Sequence, residues 1–217
     1  MDNNIWFQIT DYFHNNQDSF LLAVREHLEV SIISLIIAVI IGVFSGYISI
    51  KFKKLENRIV SIFQVLRVIP SLALLLLLIP IMGTGVRPAI IALVVLAIPP
   101  ILMNTVVGIK EVPDFMIESA YGMGMTEKQV LWKVKFPLAM PLIFTGIKTA
   151  MIEIIASATL AAKIGAGGLG EIIFTGLGLN RTDLLLIGGI SVGILTILTT
   201  LILDVINRSV LRYKYVK

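Results

Sequence analysis

Residues 30–50 read VSIISLIIAVIIGVFSGYISI, an unbroken apolar run followed at once by Lys51, Lys53, Lys54 and Arg58. A helix needs about 20 apolar residues to cross the hydrocarbon of a bilayer, and basic side chains at its end hold it at the headgroups. Four further runs of similar length lie at 59–80, 88–109, 138–161 and 184–206. Together the five occupy roughly 105 positions, leaving tails and connections but no room for a separate soluble catalytic domain. The composition agrees: 57% of the 217 residues are hydrophobic and 15% charged, with mean hydropathy +0.93, outside the balance of soluble domains. Cysteine is absent, which excludes disulfides, thiolate metal sites and a cysteine nucleophile. In so apolar a chain, the net charge of +4 points to helix ends at an anionic leaflet, not to nucleic acid.

Basic residues near span ends tend to stay cytoplasmic. One side collects twelve: Lys51, Lys53, Lys54, Arg58, Lys110, Lys128, Lys133, Lys135, Arg208, Arg212, Lys214 and Lys217. The other has four, Arg25, Arg87, Lys163 and Arg181, while Arg67 and Lys148 fall inside runs. The amino terminus is therefore expected outside and the carboxyl terminus inside. This gives an extracytoplasmic segment at 1–29, a five-span region at 30–211 and a cytoplasmic tail at 212–217. The acidic first segment is the reverse of a signal-peptide start, so the first span reads as a retained anchor. Residues 5–13 are mildly amphipathic, fitting either an interfacial helix or a disordered tail. Pro70 and the pair Pro99-Pro100 remove backbone donors inside the second and third runs and predict kinks there, suited to a moving bundle or a static one.

Two connections are long. The cytoplasmic one, 110–137, mixes charges with Ala120, Leu131 and Trp132 at spacings compatible with short amphipathic helices. The outer one, 162–183, carries Gly165-Ala166-Gly167-Gly168-Leu169-Gly170, which satisfies G-x-G-x-x-G. A dinucleotide turn needs a preceding strand and a βαβ unit, and neither is predicted, so the run reads as a tight packing turn folded onto the bundle. No phosphate-binding P-loop pattern occurs. His14 and His27 lack partners at metal-ligand spacing and read as surface histidines. No nucleophile, base and orienting set is present, so enzymatic chemistry is not expected.

Charge inside a span is costly and points to function. Arg67, Lys148 and Glu153 qualify, with Glu153 read as the only acidic residue in the middle of a run. Lys148 and Glu153 are five apart, a poor spacing for a pair on one helix face, and Lys148 reads equally well as snorkelling inward.

The most specific pattern lies in the cytoplasmic connection: Glu118-Ser119-Ala120, then Gly124, then Val134-Lys135-Phe136-Pro137. It resembles the EAA motif of ABC importer permeases, E-A-A, three residues, G, nine residues, I-x-L-P. Ser119, Val134 and Phe136 are mild departures, and the spacing is intact. The physics is compatible: small residues allow close approach, Gly124 a sharp reversal, and Pro137 the start of a helix. The likeness extends over about 27–211. The stretches Ile69-Pro70-Ser71-Leu72-Ala73-Leu74, Arg87-Pro88-Ala89-Ile90-Ile91-Ala92-Leu93, Asn104-Thr105 and Ala158-Thr159-Leu160-Ala161-Ala162-Lys163 running into the glycine run are similar to permeases of quaternary-amine importers, which handle glycine betaine, carnitine or choline. Methionine and nitrate-type importers share the fold and parts of the glycine run.

The resemblance implies an all-α membrane protein of the type I (methionine-importer-like) permease fold. The chain would form half of a dimeric pathway with a second permease, identical or homologous. Two cytoplasmic ABC ATPases would bind ATP, this chain holding no cofactor, and an extracytoplasmic binding protein would deliver substrate. Glu118, Ser119, Ala120, Gly124, Val134, Phe136 and Pro137 would couple to the ATPase. Arg67, Pro70, Asn104, Lys148 and Glu153 are the candidates for the pathway. Few aromatics lie in the spans, with Phe44, Tyr47, Phe63 and Phe144 scattered, so a trimethylammonium cage is expected in the binding protein. Two competing readings are an ion-coupled transporter built on Arg67, Lys148 and Glu153, and a membrane scaffold. The first predicts more midplane carboxylates or an inverted repeat, and neither is found.

Overall fold

The computed structural model describes residues 4–210, and among them the only regular structure is helical. The tail expected at 212–217, with Arg212, Lys214 and Lys217, lies outside the described residues. Helix α1 covers Ile5–Asn15 and α2 Gln17–Lys51, so the first spanning helix begins well before the apolar run at 30. Then come α3 (Lys53–Leu66), α4 (Ser71–Met82) and α5 (Val86–Lys110). The connection at 110–137 holds α6 (Asp114–Gly122) and α7 (Glu127–Val130), and a π-helical turn over Leu131–Lys135 leads into α8 (Phe136–Ala161). A 3-10 turn, α9 (Leu169–Gly178) and α10 (Thr182–Val210) complete the chain.

Four helical stretches are long and apolar enough to cross a membrane: α2, α5, the continuous rod from Glu127 to Ile164, and α10. The remaining apolar run is broken into α3 and α4, which meet at 91° and are long enough to make a fifth span only if taken together. The kink expected at Pro70 is thus a full break. Pro70 cannot donate to a helical ladder and drives Ile69 out of the α region, so the chain turns over 67–70 and restarts with Pro70 (φ −61°, ψ 133°) as the N-cap of α4. Helix α5, by contrast, runs on through Pro99 and Pro100.

Helix α5 occupies the centre of the bundle. Leu93, Ile101 and Leu102 are fully buried in a cluster that includes Ala38 of α2 and Ala150 and Ile154 of α8. Lipid tails are as apolar as leucine, so close van der Waals packing has to hold such helices together, and small residues permit it. A Cβ on Gly42 would lie 2.8 Å from Ile101, and one on Gly146 would lie 2.7 Å from the Pro100 carbonyl oxygen. The glycine-rich connection folds back onto the bundle as expected, with Leu169 and Ile172 of α9 packed against Leu184 and Ile187 of α10 and Ala23 of α2. Residues 5–13 are helical, and Ile9 and Tyr12 pack against this cluster.

Candidate functional site

The segment expected to meet an ATPase is built by two capping devices back to back. At the end of α6, the Gly124 N–H donates to the Tyr121 carbonyl at 2.9 Å and the Met125 N–H to the Ala120 carbonyl at 3.1 Å. This is a Schellman closure, with Gly124 in the left-handed conformation at φ +80°. The four-residue step from Ala120 to Gly124 is the step from the carbonyl that accepts the longer bond to the left-handed residue, so the sequence spacing is the geometry of the turn. Thr126 then opens α7 with a capping box: its hydroxyl accepts from the Gln129 N–H at 3.4 Å, and the Gln129 side chain accepts from the Thr126 N–H at 2.8 Å. Its signature, Thr-x-x-Gln, is local and lies in the sequence two residues after Gly124.

Ala120 is 1% exposed, whereas Glu118 and Ser119 face outward, Ser119 donating to the Phe115 carbonyl at 2.7 Å. Nothing lies within 4 Å of a Cβ built on Gly124. Val134, Phe136 and Pro137 are half-buried at the junction of the π turn and α8, where the Phe136 ring lies 5.2 Å from that of Trp132. Pro137 lies in the first turn of α8, as expected of a helix start, but α8 is not separate from what precedes it. Helix α7, the π turn and α8 form one rod, and the wider π turn lies just before the proline, where a regular ladder would need the N–H that proline lacks.

The pathway candidates divide. The structure brings Arg67 and Glu153 together across the α3–α4 break, Nη2 to Oε1 at 3.5 Å, with the Arg67 side chain 58% exposed. Lys148 does not simply snorkel: its Nζ pairs with Asp204 Oδ1 of α10 at 2.6 Å. Asp204 is the residue missed by reading Glu153 as the only deep acid, because it lies close to the end of the fifth run. Asn104 folds back on its own helix, donating to the Pro100 carbonyl at 2.8 Å. Pro70 acts on the backbone alone, as described above.

At the opposite end, Gly165, Gly167 and Gly168 have φ of +80°, +77° and +84°. The Gly168 N–H donates to Glu26 Oε2 at 2.9 Å, and a Cβ on Gly167 would collide with the same carboxylate. The expectation of a surface histidine at 27 is corrected. His27 is 2% exposed, its Nε2 lies 3.2 Å from the Ile155 carbonyl, and its ring packs on Gly168. It is buried because α2 begins early and its outer turns are covered by the glycine loop. The run is therefore a packing turn whose glycines admit Glu26 and His27 to the backbone. Among the described residues no group of His, Asp or Glu could hold a metal ion.

Comparison with known proteins agrees with this geometry. The family described as binding-protein-dependent transport system inner membrane component matches residues 38–212. The carnitine transport permease of Listeria monocytogenes is 41% identical over 189 residues, 87% of each chain. The choline transport system permease of Bacillus subtilis is 38% identical over 200 residues, 92% of each chain. Among solved structures, a chain of the methionine ABC transporter MetNI in an inward-facing conformation superposes with TM-score 0.78 at 28% identity, over 88% of this chain and 95% of that one.

Proposed function

The chain belongs to the family of binding-protein-dependent transport system inner membrane components, and from that premise we propose that it lines the pathway of an importer for a quaternary amine such as glycine betaine, carnitine or choline. As a member it is a multi-pass membrane permease of an ABC importer, the transport component of a machine whose ATP hydrolysis belongs to partner ATPases. The substrate class is supported by relatives over nearly the whole chain, among them a glycine betaine/carnitine/choline permease of Bacillus subtilis, 38% identical over 203 residues. The location is the bacterial cytoplasmic membrane, with the carboxyl terminus inside. A second permease, identical or homologous, completes the pathway, and a separate extracytoplasmic protein delivers substrate.

The observation that carries the coupling role is the Schellman closure at Ala120 and Gly124. It makes α6 a rigid plug with exposed Glu118 and Ser119 beside its buried Ala120, a shape suited to a groove on an ATPase. The rod that follows runs without a break from α7 through α8. Movement of α6 by closing and separating ATPases would thus be passed to the helix that carries Lys148 and Glu153. The ion-coupled reading is weakened because both of those charges have partners, Asp204 and Arg67.

The test is to purify the chain with its ATPases and second permease, reconstitute them in vesicles, and supply the cognate binding protein. Uptake of labelled glycine betaine, carnitine or choline should require ATP, and substrate should stimulate hydrolysis. Uptake driven by a proton or sodium gradient without ATP would overturn the mechanism. Uptake of methionine in preference to all three amines would overturn the substrate class alone.

A further inference from the structure

A cavity of 810 Å³ opens where α2 and α5 end, roofed by the coupling segment. Its charged lining is Lys51 from α2, Lys128 from α7, Lys135 from the π turn, and one acid, Glu127. Three ammonium groups against one carboxylate leave a formal excess of two positive charges. Among the described residues none of the three lysines lies in an ion pair, whereas Lys110, at the end of α5, is paired with Glu56. The Lys51 Nζ lies 5.7 Å from the centre of the Phe52 ring.

The rest of the lining is amphipathic. Tyr47, Tyr121 and Trp132 supply aromatic surface with hydroxyl and indole donors, the chemistry enriched where hydrocarbon meets headgroups. Ile50, Ile109, Val130 and Leu131 make the apolar part of the wall. Unpaired lysines, aromatic donors and an apolar floor at a span end match a phosphate joined to hydrocarbon, and basic pockets at this level of a bundle take acidic headgroups. The volume lies within the range of small-ligand sites.

We propose that this cavity binds the phosphate-bearing headgroup of an acidic phospholipid, with Lys51, Lys128 and Lys135 around the phosphate and the acyl chains leaving along the apolar wall. A soluble phosphate would share the lysines but leave the apolar wall unused, so the lipid is the better fit. The site joins the end of a spanning helix to the segment that meets the ATPase, and this goes beyond the transport reading.

The chain has two tryptophans, so Trp6→Phe leaves Trp132 as its only indole, set in the cavity wall. The full-length Trp6→Phe chain would be reconstituted in phosphatidylcholine nanodiscs containing brominated phosphatidylglycerol or, at equal mole fraction, brominated phosphatidylcholine. Quenching of Trp132 should be at least about twofold stronger with the acidic lipid, and stay so with Lys51→Arg, Lys128→Arg and Lys135→Arg combined. The matching triple Gln variant should lose the preference while keeping its helical circular dichroism. If that variant fails to fold, the Arg triple and the comparison of the two lipids still decide. Equal quenching by both lipids would overturn the proposal, as would a preference that survives in a folded Gln triple. Abolition of the preference by millimolar glycerol phosphate or inorganic phosphate would overturn the lipid assignment in favour of a soluble anion.

Discussion

At Gly124 the backbone takes φ +80° with open space around its Cβ position, so any side chain there is penalised by backbone strain and not by a clash within the chain. A left-handed residue other than glycine costs about 1–2 kcal/mol, least for asparagine and most for β-branched residues. Gly124→Asn should therefore keep most coupling, Gly124→Ala less, and Gly124→Val little. Measured as substrate-stimulated ATP hydrolysis in the reconstituted complex, the order Asn, Ala, Val should appear with membrane insertion unchanged in all three. Full activity of Gly124→Val would show that this turn is not the coupling element. The turn at Gly124 was legible in the sequence because a Schellman closure is local, its two bonds closing within six residues. The burial of His27 was not legible, since the glycine loop that covers it and the Ile155 carbonyl beside its Nε2, 128 residues away, are both distant in sequence.

The elements meet through close backbone approach and, among the described residues, through three ion pairs, Arg67 with Glu153, Lys110 with Glu56 and Lys148 with Asp204. A Cβ on Gly170 would collide with the Thr159 carbonyl oxygen at the end of α8, whereas nothing lies within 4 Å of one on Gly178 in the same helix. Gly170→Ala should thus push α9 off α8 at a cost of about 1–3 kcal/mol, and Gly178→Ala should be neutral or slightly stabilising. Thermal unfolding in detergent would separate them; an unchanged Tm for Gly170→Ala would refute the packing. The pair of Lys148 and Asp204 joins α8 to α10, and removing one partner leaves a partly buried charge unmatched. Lys148→Met and Asp204→Leu should each lower Tm, and the double variant should recover part of the loss, with a coupling of roughly 0.5–3 kcal/mol. Strict additivity would mean the contact contributes nothing. Both charges could be seen in the chain, but their partnership depends on how α8 and α10 face each other across 56 positions.

For the whole molecule, the bias of basic residues predicts an outside amino terminus, and the lack of native cysteine makes this testable. A cysteine at the exposed Thr182 should be labelled in intact cells by an impermeant thiol reagent, and one at the exposed Gln129 only after the membrane is opened. The opposite pattern would place the coupling segment away from any cytoplasmic ATPase. The apolar runs, the left-handed turn at Gly124 and the glycine-rich packing loop were determined by the sequence alone, because hydropathy runs, glycine φ and capping spacings act within a few residues. Only the tertiary structure decided that the second span breaks by 91° at Arg67 to Pro70, that Arg67 meets Glu153 and Lys148 meets Asp204, and that α2 reaches out to bury His27. A proline says that a helix is interrupted but not by what angle, and a charge says that it needs a partner but not which one. Both answers come from the packing of helices distant in sequence.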